Sequence, residues 1–282
     1  MSLHHFFLDD QVLEGLQGPF PLELNADDAK HARALRLVPG ECVSVVDAAS
    51  DYHVVEVVEM GPQSLIVRLS QRQDPRIREA ASACERLGSK PGPSSDETGA
   101  TDAGHIPSIN LVQGIAKGDK MDVVVRQCVE VGVDVIVPME FERCVVRLDA
   151  KKALKRQERW QSIARSAAMQ SGRRVLPQVE APLAPAAFVS RLDATQAVVL
   201  CWEEASLDQT VLCAARALAP EVERVWVVIG PEGGITAQEA ALFEAAPAQV
   251  LTVSLGRTIL RTETAGTVAC ALLAAGLEEA RP

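Results

Sequence analysis

At 282 residues, 48% of them hydrophobic, the chain is long enough for one large domain or two ordinary ones, each with a sizeable core. A formal net charge of -10, from 28 basic and 38 acidic residues, argues against a polycation that coats nucleic acid indiscriminately, yet permits a local basic face on an acidic body. The seven cysteines are widely spaced and form no C-x-x-C pair, a pattern of reduced, buried thiols rather than of disulfides or a zinc site.

The opening MSLHHFFLDD has neither the basic start nor the apolar core of a signal peptide, and no apolar run is long enough to cross a bilayer. A cytoplasmic protein without membrane contact is expected. Next comes DDAKHARALRL, Asp27 to Leu37, with Ala29, Ala32 and Leu35 at helical spacing and Lys30, Arg33 and Arg36 in the same turns. That basic face is either a solvated surface or a nucleic-acid contact. The text then alternates in strand fashion over Cys42–Val46, His53–Val58 and Ser64–Leu69, punctuated by Pro39-Gly40 and Gly61-Pro62. These strands predict a small β-barrel over residues 1–80.

Gly, Pro, Ser, Thr and Asp dominate from residue 84 to 107. Such a stretch buries too little apolar surface to offset its ordering entropy, so 81–107 reads as a flexible linker or insertion. Beyond it, over 108–282, strand-like runs alternate with helices, as a parallel α/β sheet requires. The runs are Ile109–Ile115, Val133–Val137, Ala197–Trp202, Val225–Ile229 and Val250–Leu255. Asp149 is placed to cap a long helix with Trp160, Ile163, Ala164 and Ala167 on one face, and Gly172 to end it. Thr236-Ala237-Gln238-Glu239 is a capping box.

Two loops stand out. Ile229-Gly230-Pro231-Glu232-Gly233-Gly234 lies between a buried strand and a helix N-terminus, where α/β proteins bind ligands. It lacks the Lys-Ser/Thr of a phosphate loop, and Glu232 would repel an anion, so a neutral or cationic ligand suits it; a plain tight turn accounts for its glycines equally well. The second loop, Ser254 to Gly266, carries Arg257, Arg261, Glu263 and several threonines, more charge than helix capping needs. Leaving the same ends of consecutive parallel strands, taken to be near neighbours, the two loops are expected to face one cleft. A third stretch runs from Glu142 through Arg143 and Arg147 to Arg173 and Arg174, and its positive charge fits a phosphate backbone or a solvated helix face. His4, His5, His31, His53 and His105 show no metal spacing, and no metal is expected.

The IGPEGG run, the following LGRTILRTETA, and the earlier segments GVDVIVPMEFERCVVR and KHARALRLVPGE together resemble the RsmE family of bacterial 16S ribosomal RNA uridine-N3 methyltransferases, of the SPOUT superfamily. The resemblance spans most of the chain outside the insertion, and the two C-terminal motifs at this spacing are far more specific than either alone. It implies an α/β fold: a C-terminal SPOUT domain with a deep trefoil knot, a small N-terminal PUA-like β-barrel that holds RNA, and a homodimer. It also implies S-adenosylmethionine as cofactor, bound by Leu200, Ile229, Gly230, Pro231, Glu232, Gly233, Ser254, Leu255, Gly256, Leu260, Arg261, Glu263, Thr264 and Ala265. Arg261 would stabilise the uridine anion and Glu263 accept its proton, while Lys30, Arg33, Arg36, Arg143, Arg147, Arg173 and Arg174 meet 16S rRNA, within the small ribosomal subunit. The same chemistry on another RNA, or a non-catalytic ribosome-assembly factor, remains open at this point.

Overall fold

The structure, a computed structural model, describes residues 3–61, 65–70 and 106–280. The expected 81–107 insertion, apart from Ile106 and Pro107, lies outside the described residues, as do Pro62, Ser64, Cys84 and His105. The chain divides into two compact units, Met1–Asp96 with Ala168–Leu176 and Glu97–Ala167 with Pro177–Pro282.

The first unit holds strands β1 (His4–Phe7), β2 (Phe20–Leu22), β3 (Cys42–Val46), β4 (Tyr52–Met60) and β5 (Leu65–Leu69), and helix α1 (Ala26–Leu35). They form one five-stranded sheet in the order β1-β3-β4-β5-β2, with β1 parallel to β3 and the remaining pairs antiparallel. Alternation along β4 and β5 buries Val55, Val57, Leu65 and Val67, while β1 and β3 bury Phe6, Val43 and Val45. The register shifts between Val57 and Glu59, a bulge that increases local twist. Helix α1 starts earlier than its spacing suggests, because the Asn25 side chain caps the Asp28 N–H at 2.9 Å. It also stops earlier: Arg36 takes a left-handed conformation (φ 52°) and donates to the Arg33 carbonyl, so Arg36 lies past the helix rather than on its basic face.

The second unit holds β6 (Ser108–Gly114), α2 (Lys120–Glu130), β7 (Val135–Met139), α3 (Ala150–Ser171) except its last residues from Ala168, which belong to the first, β8 (Gln178–Val179), α4 (Pro185–Val189), β9 (Gln196–Cys201), α5 (Val211–Ala217), β10 (Arg224–Ile229), α6 (Ala237–Glu244), β11 (Gln249–Val253) and α7 (Thr262–Ala280). All six strands are parallel, in the order β11-β9-β10-β6-β7-β8. Both faces are covered, which is why these strands read as continuous apolar runs. Val112, Val198, Leu200, Trp226 and Val228 share a core with Phe188 of α4 and Phe243 of α6. Helix α7 packs on β6, β10, α2 and α5, burying Ala269, Cys270, Leu273 and Leu277.

One expectation is overturned here. The strands before the two unusual loops are consecutive in sequence but not neighbours: β9 pairs with both β10 and β11 and separates them. The parallel pairing of β10 with β6 on its other side takes the place that a simple neighbour rule gives to β11.

Helix α3 starts as expected, with Asp149 Oδ1 accepting from the Lys152 N–H at 2.9 Å, and Gly172 (φ 70°) follows its end. Trp160, Ala164 and Ala167 are buried. Of the described cysteines, Cys128, Cys144, Cys201 and Cys270 are buried free thiols, and burial pushes the Cys201 thiol up to about 12. Cys213 departs from that pattern: it is exposed at the start of α5, beside the Thr210 hydroxyl. Among the described residues no helix is long and apolar enough to cross a membrane.

Candidate active site

Parallel strands deliver their following loops to one edge of a sheet, and in the second unit three of those loops meet. They follow β6, β10 and β11. The loop after β10 begins with Gly230, whose carbonyl accepts a hydrogen bond of 2.7 Å from the Thr262 hydroxyl in the first turn of α7. Gln113, fully buried near the end of β6, donates through Nε2 to Thr262 Oγ1 at 2.8 Å and to the Gly114 carbonyl at 3.2 Å. Gln113, Thr262 and Gly230 therefore form a chain of hydrogen bonds that ties the three loops at their base. The two C-terminal motifs do meet, despite the strand between them: Thr262 of the second reaches Gly230 of the first, and Lys120 bridges Glu263 and Glu232.

Glycine is required where the loops touch. A Cβ on Gly114 would collide with the Pro231 nitrogen and lie 2.7 Å from the Gly230 carbonyl carbon. On Gly233 it would meet the Arg143 Cβ at 2.8 Å, and Gly234 is left-handed (φ 75°). The turn is braced from outside as well. Arg143 donates to the Gly233 carbonyl at 3.1 Å, and Glu239 joins two loops, accepting from the Glu142 N–H at 2.7 Å and completing the Thr236 capping box.

Charge is arranged around Lys120, the first residue of α2. Its Nζ lies 3.0 Å from Glu232 Oε1 and 3.3 Å from Glu263 Oε2, so one ammonium bridges a carboxylate from each signature loop. Glu232 also accepts from the Lys117 N–H at 3.1 Å. Burial alone would raise the Glu232 carboxyl, but its own backbone N–H, that of Lys117 and the Lys120 ammonium together hold it below the usual carboxylate range. The hydrogen bond to Glu232 leads the effects that push the Lys120 ammonium above its usual range.

The loop after β11 is open. Gly256 (φ 114°) has nothing within 4 Å of the place a Cβ would occupy, and the N–H groups of Leu255 and of residues 257–261 have no hydrogen-bond partner among the described residues. Such a strip of backbone donors around Gly256 suits the polar edges of a flat heterocycle. Ser254 Oγ accepts from the Gly256 N–H at 3.2 Å and shapes the bend. Among the described residues, no group of three or more His, Cys, Asp or Glu side chains could hold a metal ion.

Most of the residues that sequence assigns to the cofactor lie on these two loops or the first turn of α7: Gly230, Pro231, Glu232, Gly233, Ser254, Leu255, Gly256, Leu260, Arg261, Glu263, Thr264 and Ala265. Leu200 and Ile229 are strand residues whose side chains are buried, at 0% and 3% exposure, leaving backbone as what they can offer a ligand. Arg261 is exposed, and its carbonyl accepts from the Thr264 and Ala265 N–H groups, closing the first turn of α7. Of the basic residues, Arg143 braces the glycine turn and Arg147 donates to the Glu142 carbonyl at 2.7 Å. Lys30, Arg33 and Arg36 are exposed in the first unit. Arg173 and Arg174 belong to that unit too, where the Arg174 guanidinium lies 4.7 Å from the centre of the Tyr52 ring.

Sequence reasoning missed Gln113, Gly114 and Lys120. The signal was present in Gly114-Ile115-Ala116-Lys117-Gly118-Asp119-Lys120, a strand end running into two lysines and a glycine at a helix start.

A family model for an RNA methyltransferase domain matches residues 105–274. The ribosomal RNA small subunit methyltransferase E of Bacillus subtilis is 34% identical over 159 residues, covering 56% of this chain and 61% of that protein. The protein of that name from Synechocystis is 35% identical over 180 residues, covering 60% and 54%. The chain thus spans roughly three-fifths or less of the length of these curated relatives in the matched region. Among solved structures, the ribosomal RNA small subunit methyltransferase E of Neisseria gonorrhoeae bound to S-adenosyl methionine superposes with a TM-score of 0.70 at 26% identity, covering 96% of each chain. A Legionella pneumophila structure shares the fold at a TM-score of 0.70 and 23% identity, covering 98% of each.

Proposed function

The chain belongs to the RNA methyltransferase domain family, and on that footing we propose that it is an S-adenosylmethionine-dependent enzyme methylating N3 of a specific uridine in 16S ribosomal RNA. The observation that carries this reading is the joining of the two signature loops, through Thr262 and Gly230 at their base and Lys120 at their rim. The residues fit the cofactor: open space at Gly256, backbone donors of Leu255 and 257–261 without a partner among the described residues for the adenine edge, and the carboxylates of Glu232 and Glu263 for a cation. Bound there, S-adenosylmethionine supplies a methyl group on a sulfonium, and its transfer leaves neutral S-adenosylhomocysteine.

The chain's own residues carry the rest. N3 of uridine must lose its imide proton, and the negative charge spreads to O2 and O4. Arg261, exposed just before the first turn of α7, offers a guanidinium to those oxygens. Glu263, two residues on, accepts the proton directly or through water. Thr262, between them, fixes the start of α7 and thereby the aim of both neighbours. Because N3 lies on the pairing edge, the target uridine is single-stranded or flipped out.

Other parts of the chain suit the same activity. The insertion of β10 between β9 and β6, with α7 packed back onto β6 and β10, supports a deep trefoil knot in the second unit. The mixed five-stranded sheet supports a PUA-like barrel in the first, with Lys30, Arg33 and Arg36 facing RNA. The 93% exposure of Ile259 and the partly exposed Leu272 of α7 support a homodimer. Small ribosomal subunits are the expected setting, in the cytoplasm.

The test is direct. Purified protein incubated with methyl-labelled S-adenosylmethionine and unmodified small subunits should transfer label, and nucleoside mass spectrometry should identify N3-methyluridine. Label on another base or another RNA would replace the substrate; no transfer at all would leave an RNA-binding assembly factor.

A further inference from the structure

Lys120 belongs to neither signature loop, yet it touches the carboxylate of each. Glu232 sits in the glycine turn after β10, Glu263 in the first turn of α7, and Lys120 opens α2 beyond β6. All three side chains are between one-quarter and about one-third exposed, so their charges are only partly screened by water. Glu263 Oε2 is itself shut off from solvent, and among the described residues the Lys120 ammonium at 3.3 Å is what compensates it. Two carboxylates this close would repel one another without it.

The cluster of two anions and one cation carries a net charge of -1. We propose that Lys120 is a positioning residue that sets this charge through Glu232 and Glu263, and so sets how strongly the cleft prefers the cationic methyl donor to its neutral product. The inference rests on the methyltransferase reading of the site. The two ligands share every group except the transferred methyl and the charge on sulfur. The ratio of their affinities therefore isolates the electrostatic contribution of the pocket. With Lys120 present, the residual negative charge favours the sulfonium and stops favouring the ligand once the methyl has left, which speeds product release. Without Lys120 the charge becomes -2, and the donor is held more tightly than the product by a larger factor. Without one carboxylate it becomes zero, and the preference fades.

Isothermal titration of the full chain with S-adenosylmethionine and with S-adenosylhomocysteine tests this. Lys120→Met should raise the donor-to-product affinity ratio by about fivefold, the size expected for one added charge about 8 Å away at an effective dielectric constant of about 40, between those of a protein surface and bulk water. Glu232→Gln should lower the ratio by a similar factor, and 0.5 M salt should shrink both changes. Opposite signs in the two variants are the signature, since general damage to the loops would weaken both ligands together. If Lys120→Met does not fold, as judged by circular dichroism, Lys120→Gln takes its place in the comparison, with the same rise expected. Ratios that stay within twofold of wild type in the folded variants overturn the role of Lys120 while leaving the methyltransferase reading intact. Wild-type protein that takes up neither compound defeats that reading itself, and the role of Lys120 with it.

Discussion

Arg261 is held by its backbone, whose carbonyl closes the first turn of α7, while its side chain reaches into solvent. An exposed guanidinium in that position adds little to folding, so its removal separates chemistry from stability. Arg261→Ala should lower kcat by about 100-fold, the usual cost of a lost transition-state donor, and change the cofactor Kd by less than about threefold. Stopped assays and titration on the same preparation check both halves. Gly114 makes the opposite case. Any side chain there drives into the backbone at Gly230 and Pro231, so Gly114→Ala should cost about 1–3 kcal/mol and weaken cofactor uptake with little other change. Urea unfolding with a parallel titration measures it. At this scale the sequence was readable where residue types were unusual, as with arginines and a glutamate crowded into one loop. Lys120 was not, because a lysine at a helix start looks like any solvated lysine until the fold places two carboxylates beside it.

Elements were legible wherever local chemistry decides them. Asp149, Gly172 and the Thr236–Glu239 box each mark a helix boundary through hydrogen bonds made within a few residues, and all lie where expected. Strand order was not legible. The pairing of β9 with both β10 and β11 is settled by packing on two faces of the sheet, and no residue within a strand records its neighbours. Strands β1, β2 and β8 were missed for a related reason: at two to four residues they are too short to show a period. Glu239 links these levels, since one oxygen caps α6 and the other holds the loop after β7. Glu239→Ala should therefore destabilise the protein by about 1–3 kcal/mol, more than the roughly 1 kcal/mol expected for Thr236→Ala, which removes only the cap's hydroxyl. Chemical denaturation of both variants would show whether that order holds.

For the molecule as a whole, pH is the most informative variable. His5 is buried in the first unit with its Nδ1 2.8 Å from the Ser44 hydroxyl. Burial foremost, aided by the positive Arg174 and opposed by a backbone hydrogen bond at Arg173, lowers its pKa from 6.5 to about 4. The unfolded chain therefore binds a proton that the folded unit refuses. Stability from this group is complete above pH 6.5, declines as pH falls, and levels off near pH 4, a loss of about 3 kcal/mol at most. His5→Gln should flatten that part of the stability profile, and an unchanged acid limb in equilibrium unfolding would remove His5 as its cause. Binding of RNA offers a second whole-molecule test. Replacing Lys30 and Arg33 with alanine should weaken affinity across sequences and reduce the salt slope by about 0.7–0.9 for each phosphate that the protein no longer neutralises.

The allocation of Ala168–Leu176 to the first unit bears on how the protein can be taken apart. Severing the chain anywhere between residues 81 and 107 would strand a stretch of the amino-terminal body on the far side of the cut, including the Arg174 that lies over Tyr52. Neither half so produced is a natural building block: exchange of modules with a homologue, or expression of the front piece alone, must carry that distant peptide along or supply it in trans.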